Sequence, residues 1–158
     1  MRVWIDAEPT SQSPTIFGMT PLERILRSLA KLVHKPSEVV VSCSDAIAEG
    51  HGYRVVRETG PAGKRLGEYL SSGKDAVLVL DGGAVVDHRL LPLLMDNDDG
   101  ICLKSGTGPK ETALLKLAPH GSVPSDATSV AAIATAMLAA GDVEEINATD
   151  LPNFVVNL

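Results

Sequence analysis

Five consecutive apolar residues, Ala76-Val77-Leu78-Val79-Leu80, run directly into Asp81-Gly82-Gly83. Successive side chains of a strand point to opposite faces, so a strand apolar at every position must be covered on both. That requirement predicts a central strand in a sheet flanked by helices. Aromatic residues make up only 3% of the chain and apolar residues 44%, so the core has to be built from Val, Leu, Ile and Ala. Aliphatic cores of this kind suit parallel strands between helical layers. The length of 158 residues fits a single domain over 1–158.

Elements of both kinds alternate along the chain. Arg2 to Ile5 reads as a first strand ending at Asp6, followed by a polar, Pro-rich loop to Gly18. Thr20-Pro21-Leu22-Glu23 is a helix start, with Thr20 as cap, Pro21 at the first position and Glu23 completing a capping box. Leu22, Ile25, Leu26, Leu29 and Val33 fall on one helical face, and Pro36 stops the helix. Glu38 to Ser42 is a Val-rich strand, Ser44 to Glu49 is expected as a short helix, and Tyr53 to Val56 as another strand. A second helix is expected from Ala62 to Leu70, with Leu66 and Tyr69 inward. Asp87 is placed to cap a helix carrying Leu90, Leu91, Leu94 and Met95. Ile101 to Lys104 and Thr112 to Leu117 read as a hairpin around Ser105-Gly106-Thr107-Gly108-Pro109, which makes the sheet mixed. Asp126 to Ala140 is the last long helix, closed by Gly141. The expected fold is therefore α/β: three layers, α/β/α, with a mostly parallel, mixed sheet.

Charge and cysteine usage remove several functions. The formal net charge of −6 disfavours generic binding to nucleic acid or to an anionic membrane surface. Cys43 and Cys102 have neither a disulfide framework nor zinc spacing around them, and both sit in or beside apolar runs, as core thiols in a reducing compartment do. His34, His51, His88 and His120 show no metal-ligand spacing. The longest apolar run, Val130 to Ala140, is shorter than the roughly 20 residues a membrane span needs. Met1 to Ala7 carries no signal-peptide pattern, so a cytoplasmic location is expected. The Ala-rich last helix permits close packing within the domain or against a second subunit.

Three segments carry a resemblance. They are Gly18-Met19-Thr20-Pro21-Leu22-Glu23-Arg24-Ile25-Leu26-Arg27, Thr59-Gly60-Pro61-Ala62-Gly63-Lys64-Arg65-Leu66, and Leu78-Val79-Leu80-Asp81-Gly82-Gly83-Ala84-Val85-Val86-Asp87. In order and spacing they resemble the nucleotidyltransferase branch of the nucleotide-diphospho-sugar transferase (GT-A type) fold. The first is similar to the helix after that family's first strand. The second is similar to the Gly-rich segment that passes near the base, and the third to the strand leading to the metal-binding Asp. The whole pattern, with the late Asp150-Leu151-Pro152-Asn153-Phe154-Val155, is also similar to the cytidylyltransferase-like domain that precedes a membrane-embedded CDP-alcohol phosphatidyltransferase in some microbial proteins.

The resemblance implies transfer of a nucleotidyl group from a nucleoside triphosphate, CTP in the narrower likeness, to a phosphorylated alcohol in phospholipid synthesis. It implies Mg²⁺ at Asp81, phosphate-facing cations at Lys64 and Arg65, and nucleotide contacts at Ala7, Glu8, Gly18, Gly60 and Gly63. It also implies contact with a membrane-embedded domain or a second copy of the chain. The sequence departs from the pattern at two places. The loop from Ala7 to Phe17 lacks Gly, Lys and Arg and carries two prolines, so it offers few phosphate-binding N–H groups. The family's metal-binding Asp falls at Gly83, which leaves Asp81 as the carboxylate for Mg²⁺. A degenerate or altered site is expected.

Two other functional classes fit parts of the sequence. One is a non-catalytic scaffold or dimerisation domain. The other is a small Mg²⁺-dependent phosphatase, since Asp6-Ala7-Glu8-Pro9-Thr10 resembles the Asp-x-Asp-x-Thr motif of haloacid-dehalogenase-type enzymes with Glu8 in place of the second Asp. Gly106-Thr107-Gly108-Pro109-Lys110 has the look of a phosphate loop but precedes a strand, so a hairpin turn is the expected role.

Overall fold

A computed structural model of the chain describes residues 1–8, 15–105 and 111–146, with the backbone of Val155–Asn157. The elements run in the order β1 (Arg2–Asp6), α1 (Pro21–Ala30), β2 (Glu38–Cys43), β3 (Arg54–Arg57), α2 (Ala62–Ser71), β4 (Val77–Asp81), β5 (Ala84–Val86), α3 (Leu90–Asp96), β6 (Ile101–Ser105), β7 (Thr112–Leu117), α4 (Val130–Ala140), β8 (Glu144–Glu145) and β9 (Val155–Asn157). Among the described residues the strands form a seven-stranded sheet in the order β3-β2-β1-β4-β7-β6-β8 and a two-stranded ribbon of β5 with β9. The first four of that order run parallel. β7 is antiparallel to both β4 and β6, and β8 returns parallel to β6.

The all-apolar run lies where its pattern requires. β4 sits between β1 and β7 and is buried at each of its five positions. One face of the sheet packs Ile5, Val41 and Leu80 against Ile25 and Leu29 of α1 and Leu91 of α3. The other packs Trp4, Val40 and Val79 against Leu66 and Leu70 of α2 and Ile133 of α4. The molecule is thus the three-layer α/β/α architecture expected, and Cys43 and Cys102 are both buried thiols within it. Among the described residues no helix is long and apolar enough to cross a membrane.

Local chemistry explains where the elements begin and end. Thr20 and Glu23 close a reciprocal capping box at the start of α1. α2 ends under Arg2, whose guanidinium donates to the carbonyls of Tyr69 at 3.0 Å and Asp75 at 3.1 Å and lies over the Tyr69 ring. A cation there complements the negative end of the helix dipole. Gly73 leaves the room that Arg2 occupies, since a Cβ would collide with the guanidinium.

Four local expectations are corrected. Ser44 to Glu49 is not helical. There the Ser44 hydroxyl donates to Glu8 at 2.8 Å and the Cys43 thiol to the Asp45 carbonyl, interactions that compete with a helical turn. α1 stops at Ala30, so Val33 lies beyond it, 91% exposed, instead of on its buried face. The N-cap of α3 is Arg89; Asp87 accepts the Arg89 N–H at 2.8 Å from one turn outside the helix. α4 begins at Val130, capped by Ser129, four residues after the predicted start. The loop 106–110 and the segment 147–154 lie outside the described residues.

Candidate functional site

In the parallel part of the sheet, chain leaving a strand enters the next helix at the strands' C-terminal edge. The starts of α1 and α2 therefore gather at the edge where β1 ends in Asp6 and β4 in Asp81. Ligands of open α/β sheets bind on that edge. Asp6 stands in register with Asp81 on one side and with Ser42 on the other. Side chains alternate along each strand, so these three share the face of Trp4, Val40 and Val79, beneath α2.

Arg65 binds this row together. It is only 1% exposed, and its Nη2 donates to Asp6 Oδ1 at 2.9 Å. Nη1 donates to Ser42 Oγ at 2.7 Å and Nε to the Gly60 carbonyl at 3.0 Å. Its guanidinium carbon is 5.6 Å from the centre of the Trp4 ring. Asp6 Oδ1 also accepts the Glu8 N–H at 3.2 Å, and Ser42 Oγ donates to Glu58 at 3.1 Å. A buried ion pair of this kind persists where further hydrogen bonds support it, as the Glu8 N–H, Ser42 and the Gly60 carbonyl do here.

Asp81 is built differently. Its Oδ1 accepts the Gly83 N–H at 2.8 Å, while among the described residues Oδ2 has only the long contact to Thr112 Oγ1 at 3.5 Å. Burial pushes its pKa above the ordinary carboxylate value; the Gly83 N–H pulls back, and the negative charge of Asp6 pushes further up. Among the described residues, Asp81 is thus a carboxylate short of a counter-charge, with one oxygen weakly engaged. The turn that follows is possible only with glycine at Gly82, whose N–H donates to the Asp6 carbonyl at 2.8 Å and whose Cβ would stand 2.8 Å from that same oxygen.

The remaining predicted residues divide between the rim and the packing beneath it. Lys64 is exposed in the first turn of α2 with no partner among the described residues. Gly60, just before it, holds φ at +110°, a conformation other residues rarely adopt. Gly63 faces inward: its N–H donates to the Ala127 carbonyl at 2.9 Å, and a Cβ would overlap the Pro124 carbonyl oxygen. Ala7 is buried with its N–H on the Ser42 carbonyl at 2.9 Å, and the Glu8 carboxylate accepts from Ser44. Gly18 and Phe17, both with positive φ, form a tight turn whose flanking residues Ile16 and Met19 exchange backbone hydrogen bonds. Phe17 is 93% exposed at its tip, just before α1. The loop 9–14 lies outside the described residues.

The structure therefore brings Asp6, Arg65 and Asp81 into one cluster and sets Lys64 above it. It adds Ser42, Glu58 and Thr112, which sequence reasoning missed. Ser42 carried a signal, a polar residue at the end of a Val run aligned with Asp6; Glu58 and Thr112 carried none. A divalent cation fits Asp81 in kind: Mg²⁺ takes hard oxygen ligands and typically uses one or two carboxylates plus waters and substrate phosphates. Among the described residues no group of three or more His, Cys, Asp or Glu side chains could enclose a metal without such additional ligands.

No protein-family model and no curated protein matches the chain. Solved structures do. The chain is similar to a 4-diphosphocytidyl-2C-methyl-D-erythritol synthase from Anaerococcus prevotii, with a TM-score of 0.53 and 15% identity over 69% of this chain and 56% of that one. It is also similar to a second 4-diphosphocytidyl-2C-methyl-D-erythritol synthase, with a TM-score of 0.50 and 16% identity over 75% of this chain and 72% of that one. This chain spans a little over half the length of the first. At these identities the likeness is one of fold alone, the mixed α/β fold of those synthases.

Proposed function

We propose that this domain binds a nucleoside triphosphate with Mg²⁺ at the C-terminal edge of its sheet and transfers the nucleotidyl group to a phosphorylated alcohol. The observation that carries the reading is Asp81, a buried carboxylate at the end of the central strand that, among the described residues, lacks a counter-charge and holds one weakly engaged oxygen. In this reading Asp81 holds the metal, which supplies neutralising charge to the phosphates. Lys64 adds a mobile cation at the positive end of α2, where phosphate oxygens are favoured. CTP is the expected donor, because both similar structures are named as synthases of a diphosphocytidyl product.

The reaction joins an oxygen of the acceptor phosphate to the α-phosphorus of the triphosphate and breaks that phosphorus's bond to the bridging oxygen, releasing pyrophosphate. Positioning and charge neutralisation are the main contributions a protein makes to such a transfer. A role in phospholipid synthesis, with a CDP-alcohol as product and a membrane-embedded transferase as partner, rests on the sequence resemblance. The test is pyrophosphate release from CTP and Mg²⁺ with glycerol phosphate and a panel of other phosphorylated alcohols. Release that depends on one acceptor and disappears in Asp81→Asn is expected. No release with any acceptor contradicts transfer, even if CTP binds.

A further inference from the structure

We propose that Arg65 is a positioning residue that withholds Asp6 from the cation site, leaving Asp81 as the one carboxylate that meets a divalent metal. This rests on the metal-dependent reading above and deepens it. Parallel register sets Asp6 and Asp81 side by side at two strand ends, with both side chains on the α2 face. Two adjacent carboxylates with no counter-charge would turn together toward a cation. Here one of them is already paired with a cation through its Oδ1. Asp6 Oδ1 accepts Arg65 Nη2 at 2.9 Å and the Glu8 N–H at 3.2 Å.

Arg65 is itself fixed at three further points. Ser42 Oγ, the Gly60 carbonyl and the face of Trp4 leave its guanidinium no freedom to release Asp6. The consequence concerns the order of binding. A single carboxylate holds a bare divalent ion weakly and holds it well once phosphate oxygens complete the shell. Metal and nucleotide then arrive together, and the empty domain does not fill with cation.

The proposal makes a prediction of sign that a purely structural Arg65 would not. Terbium luminescence, sensitised by the only tryptophan, Trp4, two residues from Asp6, reads hard-cation binding without nucleotide or turnover. Arg65→Gln frees Asp6 and removes a positive charge, so Tb³⁺ should bind about tenfold more tightly than to the wild type. Arg65→Lys keeps the charge and should stay within about threefold of it. The double variant Asp6→Asn/Arg65→Gln removes the ion pair as a neutral unit, the change most compatible with folding, and should also bind within about threefold of wild type.

Unchanged or weaker binding by Arg65→Gln overturns the proposal. So does a loss of about tenfold or more in the double variant, which would make Asp6 a ligand in the wild type. If Arg65→Gln does not fold, the double variant alone decides. Wild-type binding with no gain in Arg65→Gln sinks this inference and leaves the metal-dependent reading standing. No Tb³⁺ binding by either protein at millimolar concentration overturns this inference, and the metal-dependent reading is then decided by Mg²⁺-dependent binding of the nucleotide.

Discussion

At the scale of single residues, Asp81 and Asp6 are the same side chain in neighbouring positions with opposite circumstances. Asp6 has a guanidinium at 2.9 Å, whereas Asp81 has a backbone N–H and a distant hydroxyl. An uncompensated buried carboxylate costs stability, and a ligand that supplies the missing charge recovers it. The sign of the pH effect follows from the upward shift of Asp81. Below the ordinary carboxylate range it is protonated in both the folded and the unfolded chain and costs nothing. As pH rises the unfolded chain releases its proton first, and the folded protein loses stability until its own, higher pKa is passed. Asp81→Asn should therefore raise the melting temperature of the ligand-free domain at neutral pH by a few degrees, about 2–4 °C for each kcal/mol relieved. The gain should vanish near pH 3. Melting curves of both proteins across that range check it; a variant less stable than wild type at neutral pH contradicts the assignment of Asp81 as a strained carboxylate.

At the scale of elements, α2 connects the site to the core, and its glycines make opposite demands. Gly63 meets the Pro124 carbonyl, a backbone atom that a flexible side chain cannot move aside for, so Gly63→Ala should cost about 1–3 kcal/mol. Gly67 lies one turn further on, where a Cβ would meet only Val123 Cγ2 at the ordinary contact distance of 3.6 Å. Gly67→Ala should gain about 0.5–1 kcal/mol through helix propensity alone. Urea denaturation of the two variants reads both signs.

The sequence was legible at this scale wherever an element carried its own signal. The capping box at Thr20, the apolar run before Asp81 and Gly141 at φ +77° after α4 each marked an element or its end. It was not legible where side chains decided locally against the pattern. Ser44 and Cys43 bond away from a helix, and Arg89 takes the capping position expected of Asp87. β8, two glutamates long, has no pattern that a reader could find.

 At the scale of the whole molecule, the site exists because the sheet order places β1 beside β4, although 75 residues separate Arg2, the start of one, from Val77, the start of the other. Asp81 could be picked out from sequence because an apolar run ends on it. The Asp6–Arg65 pair could not, because its members stand 59 residues apart and only the completed sheet and α2 bring them together. The molecule as a whole carries a net charge of −6, and acidic side chains at Asp6, Glu8, Glu58 and Asp81 gather at the edge where a triphosphate would bind. A bare triphosphate is repelled by such a surface, so nucleotide binding should depend strongly on a divalent cation. The measurement that tests this most directly is calorimetric titration of the domain with CTP, with and without Mg²⁺, beside GTP, UTP and ATP. The account predicts saturable binding of CTP only when Mg²⁺ is present, and its loss in Asp81→Asn. Failure of all four nucleotides to bind with Mg²⁺ at millimolar concentration, or CTP binding that is unchanged by Asp81→Asn, would contradict it.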